Sequence, residues 1–333
     1  MTLRELREVA SDVSLPAFAA MQMADWIYKK KITSIDEMSN IPAVKRKQLT
    51  SLYTIGCEPP VKASKSIDGT IKYLFAVNHA RHFVESVYLP SKERATLCVS
   101  SQAGCKMNCL FCMTGKQGFS AQLTANEVFN QIQSLPENRE LTNIVFMGMG
   151  EPLDNINALF NVLEILTSPY GYGWSPKRIT ISTIGILSGL KRFLDESSCH
   201  LAISLHSPFH EERLSLIPVE KVYPVKNMID LLHAYDFTHQ RRVSFEYILF
   251  EGFNDTIQHA KELARMLKGL ECRVNLIRFH AIPDVRLTGC NEQKMESFRN
   301  ILNALGIVST IRESRGEDIA AACGMLSTIK KRK

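Results

Sequence analysis

The sequence predicts an α/β fold in which six strand–helix units form an open, partial barrel, and three observations carry this prediction. From about residue 94 onward, short runs of strand-forming residues alternate with longer segments that have an apolar face at helical spacing. Such alternation is typical of parallel strands joined by crossover helices. Six units are too few to close an eight-stranded barrel. With 45% hydrophobic and 22% charged residues, the 333-residue chain can bury a sizeable core.

Residues 1–60 are predicted to form a small helical accessory domain. Thr2 and Glu5 have the spacing of an N-terminal capping box, and so have Ser34 and Glu37. A bundle of three or four short helices is too small to hold a reaction centre. We therefore expect it either to dock the substrate or to act as a stabilising cap on the larger domain.

Residues 61–93 change to the two-residue period that is typical of strands. Segments 71–77 and 82–89 flank a turn near Asn78 and predict a β-hairpin extension. A third strand, over residues 94–100, leads straight into a cysteine-rich loop. The barrel is therefore expected to span residues 94–333, with its other strands near residues 143–147, 178–182, 201–205, 243–249, 273–278 and 307–312.

The cysteine-rich loop carries Cys105, Cys109 and Cys112 at the spacing C-x3-C-x2-C. Thiolates this close together repel one another unless a metal neutralises them, and iron–sulfur clusters are held by cysteines at short spacings. Three ligands on a four-iron cube leave one iron open to an outside ligand. A structural zinc site wants four ligands, and no cysteine or histidine occurs between residues 113 and 198. The spacing therefore indicates an iron–sulfur cluster.

Three polar motifs follow predicted strands, at residues 148–152, 181–183 and 203–207. In the first motif, glycines allow close approach of the backbone, and Glu151 is suited to accept a hydrogen bond from an ammonium group. Taken singly, each motif is an ordinary strand-to-helix turn or helix cap. Because chemistry in α/β barrels gathers at the carboxyl ends of the strands, we expect these motifs and the cysteine loop to surround one site.

The other cysteines divide into two groups. Cys98 lies on the strand that leads into the cysteine loop, and Cys323 lies among small residues near the C-terminus, which leaves its sulfur accessible. From chemistry alone, each of these two is either inert or reactive. The remaining four have no partner motif and are expected to be small buried residues: Cys57, Cys199, Cys272 and Cys290.

The charge distribution makes a nucleic acid a candidate partner. The net charge is +6 and the pI is near 8.8, with basic clusters at residues 29–31, 45–47, 241–242 and 330–333. Each cluster alone is typical of a solvated face or a chain end. No apolar run approaches the roughly 20 residues needed to cross a bilayer, so no membrane partner is expected. The odd cysteine count and the absence of an apolar N-terminal segment indicate a cytoplasmic protein.

Several motifs, in their order along the chain, resemble the RlmN/Cfr family of radical S-adenosylmethionine enzymes, which methylate adenosine in RNA. The resemblance covers essentially the whole chain, including the helical N-terminal module, and implies the radical S-adenosylmethionine partial barrel. It rests on the three cysteines and on residues 96–102, 148–152, 203–207, 245–247, 252–255, 315–316 and 321–324.

The resemblance implies a role for most of the candidate residues. Cys105, Cys109 and Cys112 would hold a 4Fe–4S cluster, whose open iron takes the amino and carboxylate groups of S-adenosylmethionine. Cys323 would carry the methyl group, and Cys98 would resolve the enzyme–RNA adduct. The S-adenosylmethionine pocket would be lined by Gly150, Glu151, Ser182, Ser204, Leu205 and His206.

Two further residues take their roles from the same resemblance. Glu85, in the hairpin, matches the position of the family's proton acceptor. His280 departs from the family's pattern, which commonly has an asparagine there. Because an imidazole can also donate to the cofactor, His280 is included as a cofactor contact.

The implied reaction is methylation of C2 of adenosine in 23S ribosomal RNA and in transfer RNA. One S-adenosylmethionine methylates Cys323, and a second gives a 5′-deoxyadenosyl radical that activates the resulting S-methylcysteine. Attack by Cys98 then forms a disulfide, and an electron-donor protein such as flavodoxin or ferredoxin completes the system. Three alternatives stay open: a C8-methylating member of the family, a radical enzyme with a non-RNA substrate, and a non-enzymatic RNA-binding protein with a structural zinc.

Overall fold

The computed structural model describes residues 1–237 and 243–328. The basic clusters at residues 241–242 and 330–333 lie outside the described residues. The described strands are β1 (Lys62–Lys65), β2 (Ile71–Val77), β3 (His82–Pro90), β4 (Ala95–Cys98), β5 (Gln102–Gly104), β6 (Phe119–Gln122), β7 (Asn143–Phe146), β8 (Ile179–Thr183), β9 (His200–Ser204), β10 (Val243–Leu249), β11 (Cys272–Arg278) and β12 (Ser309–Ile311).

The α-helices are shorter than a membrane span, and within the described residues none is long and apolar enough to cross a bilayer. A π-helical turn at Asp25–Lys30 continues the second helix. The α-helices are α1 (Leu3–Asp12), α2 (Ala19–Ala24), α3 (Ala43–Leu52), α4 (Met113–Gln117), α5 (Ala125–Gln133), α6 (Ile156–Thr167), α7 (Leu187–Glu196), α8 (His210–Leu216), α9 (Val225–His233), α10 (Ile257–Met266) and α11 (Glu292–Ala304).

One mixed sheet of ten strands, in the order β1-β2-β3-β4-β7-β8-β9-β10-β11-β12, forms the centre of the molecule. Strand β4 and strands β7 to β12 run parallel to one another. Strands β1 to β4 pair antiparallel. The two edges of the sheet are β1 and β12, so the sheet does not close. The predicted open, partial barrel is confirmed.

Side chains along the parallel strands alternate between two faces, because successive residues of a strand point to opposite sides. Apolar residues fill the helix-covered face and include Leu97, Ile144, Ile181, Ile203 and Leu276, all of them fully buried. The inner face is more polar. It lines cavities with Cys98, Ser182, Ser204, Glu246 and Arg312.

The N-terminal helices begin where the sequence predicts. The capping boxes of Thr2 with Glu5 and of Ser34 with Glu37 are both present. The Tyr28 ring meets Phe129 of α5 edge-on at 5.4 Å between centroids, so the helical segment packs on the outside of the barrel. The domain boundary at residue 60 stays a prediction.

The hairpin extension is formed by β2 and β3. Its turn contains Asn78, His79 and Ala80 in succession with φ angles of 51°, 53° and 61°. Strand β3 also pairs with β4, where Val87 lies opposite Cys98. The extension thus continues the barrel sheet, and a division between residues 61–93 and 94–333 stays a prediction.

Candidate active site

The cysteine-rich loop is held in a compact shape by the small sheet of β5 and β6, and by helix α4 between them. Glycines are required here: a Cβ atom on Gly104 would lie 1.8 Å from the Gly118 carbonyl oxygen, and one on Gly115 would lie 2.9 Å from the Cys109 nitrogen. The Leu110 amide donates to the Leu216 carbonyl at 2.9 Å, which fixes the loop to α8.

The three loop cysteines face a cavity of about 850 Å³, which we call the triad cavity. Its wall brings together residues that lie far apart in sequence, as the strand-end rule predicts. Leu205 is fully buried and is not part of this wall, and His280 lies in a neighbouring cavity. The wall includes Cys105, Cys109, Cys112, Gly150, Glu151, Ser182, Ser204, His206 and Cys323.

Burial disfavours the thiolate forms of Cys105 and Cys109. It raises the pKa of Cys105 to about 12, and it raises the pKa of Cys109 well above the ordinary value, with Cys112 acting in the same direction. A coordinated metal supplies the positive charge that such thiolates need. Among the described residues, no three metal-binding side chains converge as a single ion would require.

Glu151 is a buried carboxylate at the end of the segment after β7. Its oxygens accept the amides of Leu153 and Ile184, each at 3.0 Å. Burial raises its pKa to about 7. Within residues 1–237 and 243–328, Glu151 forms no ion pair, although a carboxylate has lone pairs for further donors. Gly150, at φ +97°, lies so close to Gln102 that a Cβ atom would approach it to 2.5 Å.

His206 is neutral and has a defined tautomer. Burial lowers its pKa to about 3, and the Arg213 guanidinium acts in the same direction. Its Nδ1 accepts the Ile248 amide at 3.0 Å, so its proton is on Nε2. The backbone of His206 has φ +57°, and the Asn254 side chain donates to its carbonyl at 2.6 Å. The motif at residues 252–255 therefore supports this strained position.

A second cavity, of about 880 Å³, adjoins the triad cavity and is called the Cys98 cavity. Cys112, Gly148 and Cys323 line both cavities. Burial raises the pKa of Cys98 to about 12, and Cys323, although exposed to the cavity space, also has a pKa raised by burial. Among mostly apolar residues and the carboxylate of Glu313, the wall also contains four basic side chains: Arg278, His280, Arg312 and Arg315.

Cys98 and Cys323 are free thiols in this structure, as are the other seven cysteines. The disulfide that the resemblance implied is therefore absent here. Buried thiols stay reduced unless their sulfurs meet, so the expected bond is at most a transient step of turnover.

Glu85 lies beside the Cys98 cavity rather than in its wall. Its carboxylate pairs with the Lys72 ammonium at 3.0 Å and accepts the Ser327 amide at 3.0 Å. Lys72 also donates to the carbonyl of Ala320 at 3.0 Å. Glu85 and Lys72 thus fasten the C-terminal segment that carries Cys323 to the hairpin.

Some residues of the site were not predicted as functional. Glu246 lines the triad cavity, and its carboxylate lies 3.5 Å from the guanidinium of Arg312 in the Cys98 cavity. In the sequence, Glu246 is a charged residue within a mostly apolar strand, and Arg312 is a charged residue just after another strand. Lys72 is likewise a charge on an otherwise apolar strand, and Asn254 lies in the motif at residues 252–255, but only the fold shows what these residues and Arg213 contact.

Comparisons with known proteins agree with this geometry. Residues 99–267 match the model of the radical SAM superfamily, and residues 1–55 match that of the ribosomal RNA large subunit methyltransferase N-terminal domain. A crystal structure of a radical SAM methyltransferase from Sphaerobacter thermophilus is similar with a TM-score of 0.91 and 38% identity, covering 98% of this chain and 97% of that one. The open barrel fold and the three cysteines of the loop together place the chain in the class of radical S-adenosylmethionine proteins.

Curated relatives narrow this class. The probable dual-specificity RNA methyltransferase RlmN of Parabacteroides distasonis is 68% identical over 330 residues, which cover 99% of this chain and 96% of the relative. The dual-specificity RNA methyltransferase RlmN of Syntrophus aciditrophicus is 38% identical, over 98% of this chain and 95% of the relative. The chain belongs to the RlmN family.

The cofactors of this family are a 4Fe–4S cluster and S-adenosylmethionine, and the residues of the triad cavity fit both. Three cysteine sulfurs form a donor set for iron that leaves one coordination position open. The carboxylate of Glu151 has no cationic partner among the described residues and therefore suits an ammonium group.

Proposed function

We propose that this chain methylates C2 of adenosine in 23S ribosomal RNA and in transfer RNA through an S-methylcysteine at Cys323. The observation that carries the proposal is the position of Cys323 in the walls of both the triad cavity and the Cys98 cavity. A sulfur at this junction can accept a methyl group on one side and present it to a base on the other.

The cysteines of the triad would hold the 4Fe–4S cluster, and Glu151 would hold the ammonium of S-adenosylmethionine. Gly150, Ser182, Ser204, Leu205 and His206 are proposed to complete the pocket: His206 has an Nε2 proton to donate, and Leu205 would act through its backbone. Bound together, cluster and S-adenosylmethionine supply a transferable methyl group and a carbon-centred radical that abstracts hydrogen.

Cys98 and Cys323 would act in sequence on the substrate side. Cys323 accepts the methyl group on its sulfur and carries it to the adenine ring. Cys98 would then attack the sulfur of Cys323, so that a disulfide forms and the bond between that sulfur and the base-bound carbon breaks. That carbon would keep the electron pair and take up a proton to become the methyl group, and the one electron left over would pass to the cluster. Glu85 is proposed to accept the proton that leaves the ring carbon. His280, which lines the Cys98 cavity, is proposed to contact S-adenosylmethionine from that side.

RNA as the substrate is supported by charge and by the relatives. The Cys98 cavity is lined by three arginines and a histidine, which suit a polyanion. Relatives with 56–68% identity are named probable dual-specificity RNA methyltransferases. The helical domain of residues 1–60, with Lys29 and Lys30 exposed, is proposed to dock the RNA. We further propose a cytoplasmic location and a flavodoxin or ferredoxin as the electron donor.

The choice of C2 rather than C8 rests on sequence likeness at residues 94–97 and 245–247. The test is anaerobic reconstitution with iron, sulfide, S-adenosylmethionine and a reductant, followed by incubation with 23S ribosomal RNA fragments and transfer RNA. Mass spectrometry with positional analysis is expected to find 2-methyladenosine in both RNAs. Detection of 8-methyladenosine would show that the methylated carbon is C8 rather than C2. If neither RNA contained methyladenosine, the proposed function would be overturned.

A further inference from the structure

Arg213, on the short helix α8, is fully buried and lines neither the triad cavity nor the Cys98 cavity. Each nitrogen of its guanidinium group nevertheless donates hydrogen bonds. Nε donates to the Leu205 carbonyl at 3.1 Å, and Nη2 donates to the carbonyls of Ile184 at 2.9 Å and Ser204 at 3.0 Å. Nη1 donates to the carboxylate of Glu220.

Glu220 is as completely buried as Arg213, and its carboxylate has further hydrogen-bond partners of its own. It accepts the Val225 amide at 3.1 Å on each oxygen and lies 2.8 Å from Nδ1 of His210. Buried ion pairs add little net stability, since their desolvation offsets their attraction and apolar residues of similar volume often serve as well. The pair therefore calls for an explanation other than stability, and the three backbone carbonyls held by Arg213 supply one.

These carbonyls belong to the carboxyl ends of two neighbouring strands. Ile184 directly follows the last residue of β8, Ser204 is the last residue of β9, and Leu205 follows it. Ile184 and Ser204 are themselves wall residues of the triad cavity. A planar guanidinium with several fixed donors can bind carbonyls of both strands at once, which a lysine cannot do. Arg213 thus fixes the spacing between the two strand ends that present Ser182 and His206.

The same helix also holds the cysteine-rich loop. Leu216, the last residue of α8, accepts the Leu110 amide at 2.9 Å, and Leu110 lies between Cys109 and Cys112. Helix α8 is only seven residues long, and Arg213 in its middle is three residues before Leu216, so the two residues are rigidly related. One short element therefore connects the cluster ligands to the strand ends of the cofactor pocket.

We propose that Arg213 is a positioning residue that sets the distance between the iron–sulfur cluster and the S-adenosylmethionine cradle. This inference rests on the proposed assignment of the triad cavity to those two cofactors. Arg213 acts through the backbone of residues 184, 204 and 205 and touches no reacting atom. Its replacement should therefore alter how S-adenosylmethionine meets the cluster, and should leave RNA docking unchanged.

Two variants test this role. Arg213→Lys keeps the charge but cannot bind all three carbonyls. The double variant Arg213→Met/Glu220→Gln removes both charges and preserves an acceptor for the Val225 amide, so no unpaired charge is buried. The matched control is Arg265→Lys, at an exposed ion pair with Glu262 that touches no strand end.

The measurements are made without RNA on the reconstituted full-length chain. Thermal unfolding and cluster absorbance are expected to stay close to wild type in all three variants. The dissociation constant for S-adenosylmethionine is expected to rise by about 10- to 100-fold in both Arg213 variants, with Arg213→Lys the milder, as for other residues that orient metal ligands. The change that S-adenosylmethionine causes in the electron paramagnetic resonance spectrum of the reduced cluster should weaken in parallel.

A steady-state comparison separates positioning from general damage. The KM for S-adenosylmethionine is expected to rise while the KM for RNA stays within about twofold. Wild-type affinity and an unchanged spectrum in a folded variant would overturn the inference, and so would loss of folding in both Arg213 variants, because the pair would then be a general stabilising element. Because binding and spectrum need no RNA, these results are independent of whether the proposed RNA methylation is correct.

Discussion

The Met113 amide donates to the Gly324 carbonyl at 2.8 Å, so the residue after the last triad cysteine is bonded to the residue after Cys323. Thr114 adds a second tie, from its hydroxyl to the Leu326 carbonyl at 2.7 Å. These bonds hold the C-terminal segment against helix α4, and they explain why Cys112 and Cys323 line the same two cavities.

Replacement of Cys323 by alanine should abolish methylation, because the sulfur that accepts the methyl group is lost. The cluster should still assemble, since Cys323 is not one of its ligands. Both are measured on one reconstituted sample, by visible absorbance and by methyladenosine content. Cys57→Ala, at a partly exposed thiol that lines neither cavity, is the control and should keep wild-type activity. Methyl transfer that persists in Cys323→Ala would contradict the mechanism.

Replacement of Cys98 by alanine should leave the first steps intact and block release of the product. The RNA should then remain attached to Cys323, because no second thiol attacks that sulfur. Denaturing gels are expected to show a protein band shifted by the mass of the RNA, and the double variant Cys98→Ala/Cys323→Ala should not show it. Recovery of only free, unmodified RNA from Cys98→Ala would argue against the resolving role.

The sequence predicted the fold and the triad well because both depend on local patterns. The two-residue and helical periods placed β4 and β7 to β12, and the cysteine spacing indicated the three residues that are proposed to hold the cluster. The small sheet of β5 and β6 was missed, since its strands, Gln-Ala-Gly and Phe-Ser-Ala-Gln, contain few of the β-branched and aromatic residues that are typical of strands. Arg213 and Asn254 were missed because their partners are backbone carbonyls, which any sequence provides.

The structure gives Glu85 contacts beyond the role of proton acceptor that the resemblance implied, and Lys72 takes part in them. Because the carboxylate is shared between Lys72 and the Ser327 amide, Glu85 also anchors the segment that bears Cys323. Lys72→Met should free that segment and lower turnover by roughly tenfold, with S-adenosylmethionine binding little changed. Single-turnover methylation and hydrogen exchange at residues 320–328 are the measurements. Unchanged protection of that segment would show that the pair is not its anchor.

RNA binding should weaken steeply with added salt, because neutralised phosphates release counterions. A change of Lys30 and Lys47 to glutamine together should weaken binding and make its dependence on salt shallower. The control is Lys191→Gln, whose ammonium pairs with Asp195 on α7 of the barrel at 2.8 Å. If Lys191→Gln weakens RNA binding as much as the combined change of Lys30 and Lys47 does, the N-terminal domain is not part of the RNA interface.

The pH dependence of S-adenosylmethionine binding should report on Glu151, whose pKa burial raises to about 7. Below that pH the carboxyl group is protonated and cannot attract an ammonium, so affinity should increase as the pH rises through about 7 and then level off. In the protein without S-adenosylmethionine, the contribution of Glu151 to the free energy of unfolding changes with pH in the opposite direction and falls as the pH rises. The stabilisation from the bound proton is fully present below the unfolded pKa of 4.5 and is lost as the pH rises through about 7. Glu151→Gln should weaken binding and remove both dependences, as measured by equilibrium binding and thermal unfolding across this range. A wild-type affinity that does not vary with pH would show that another group holds the ammonium.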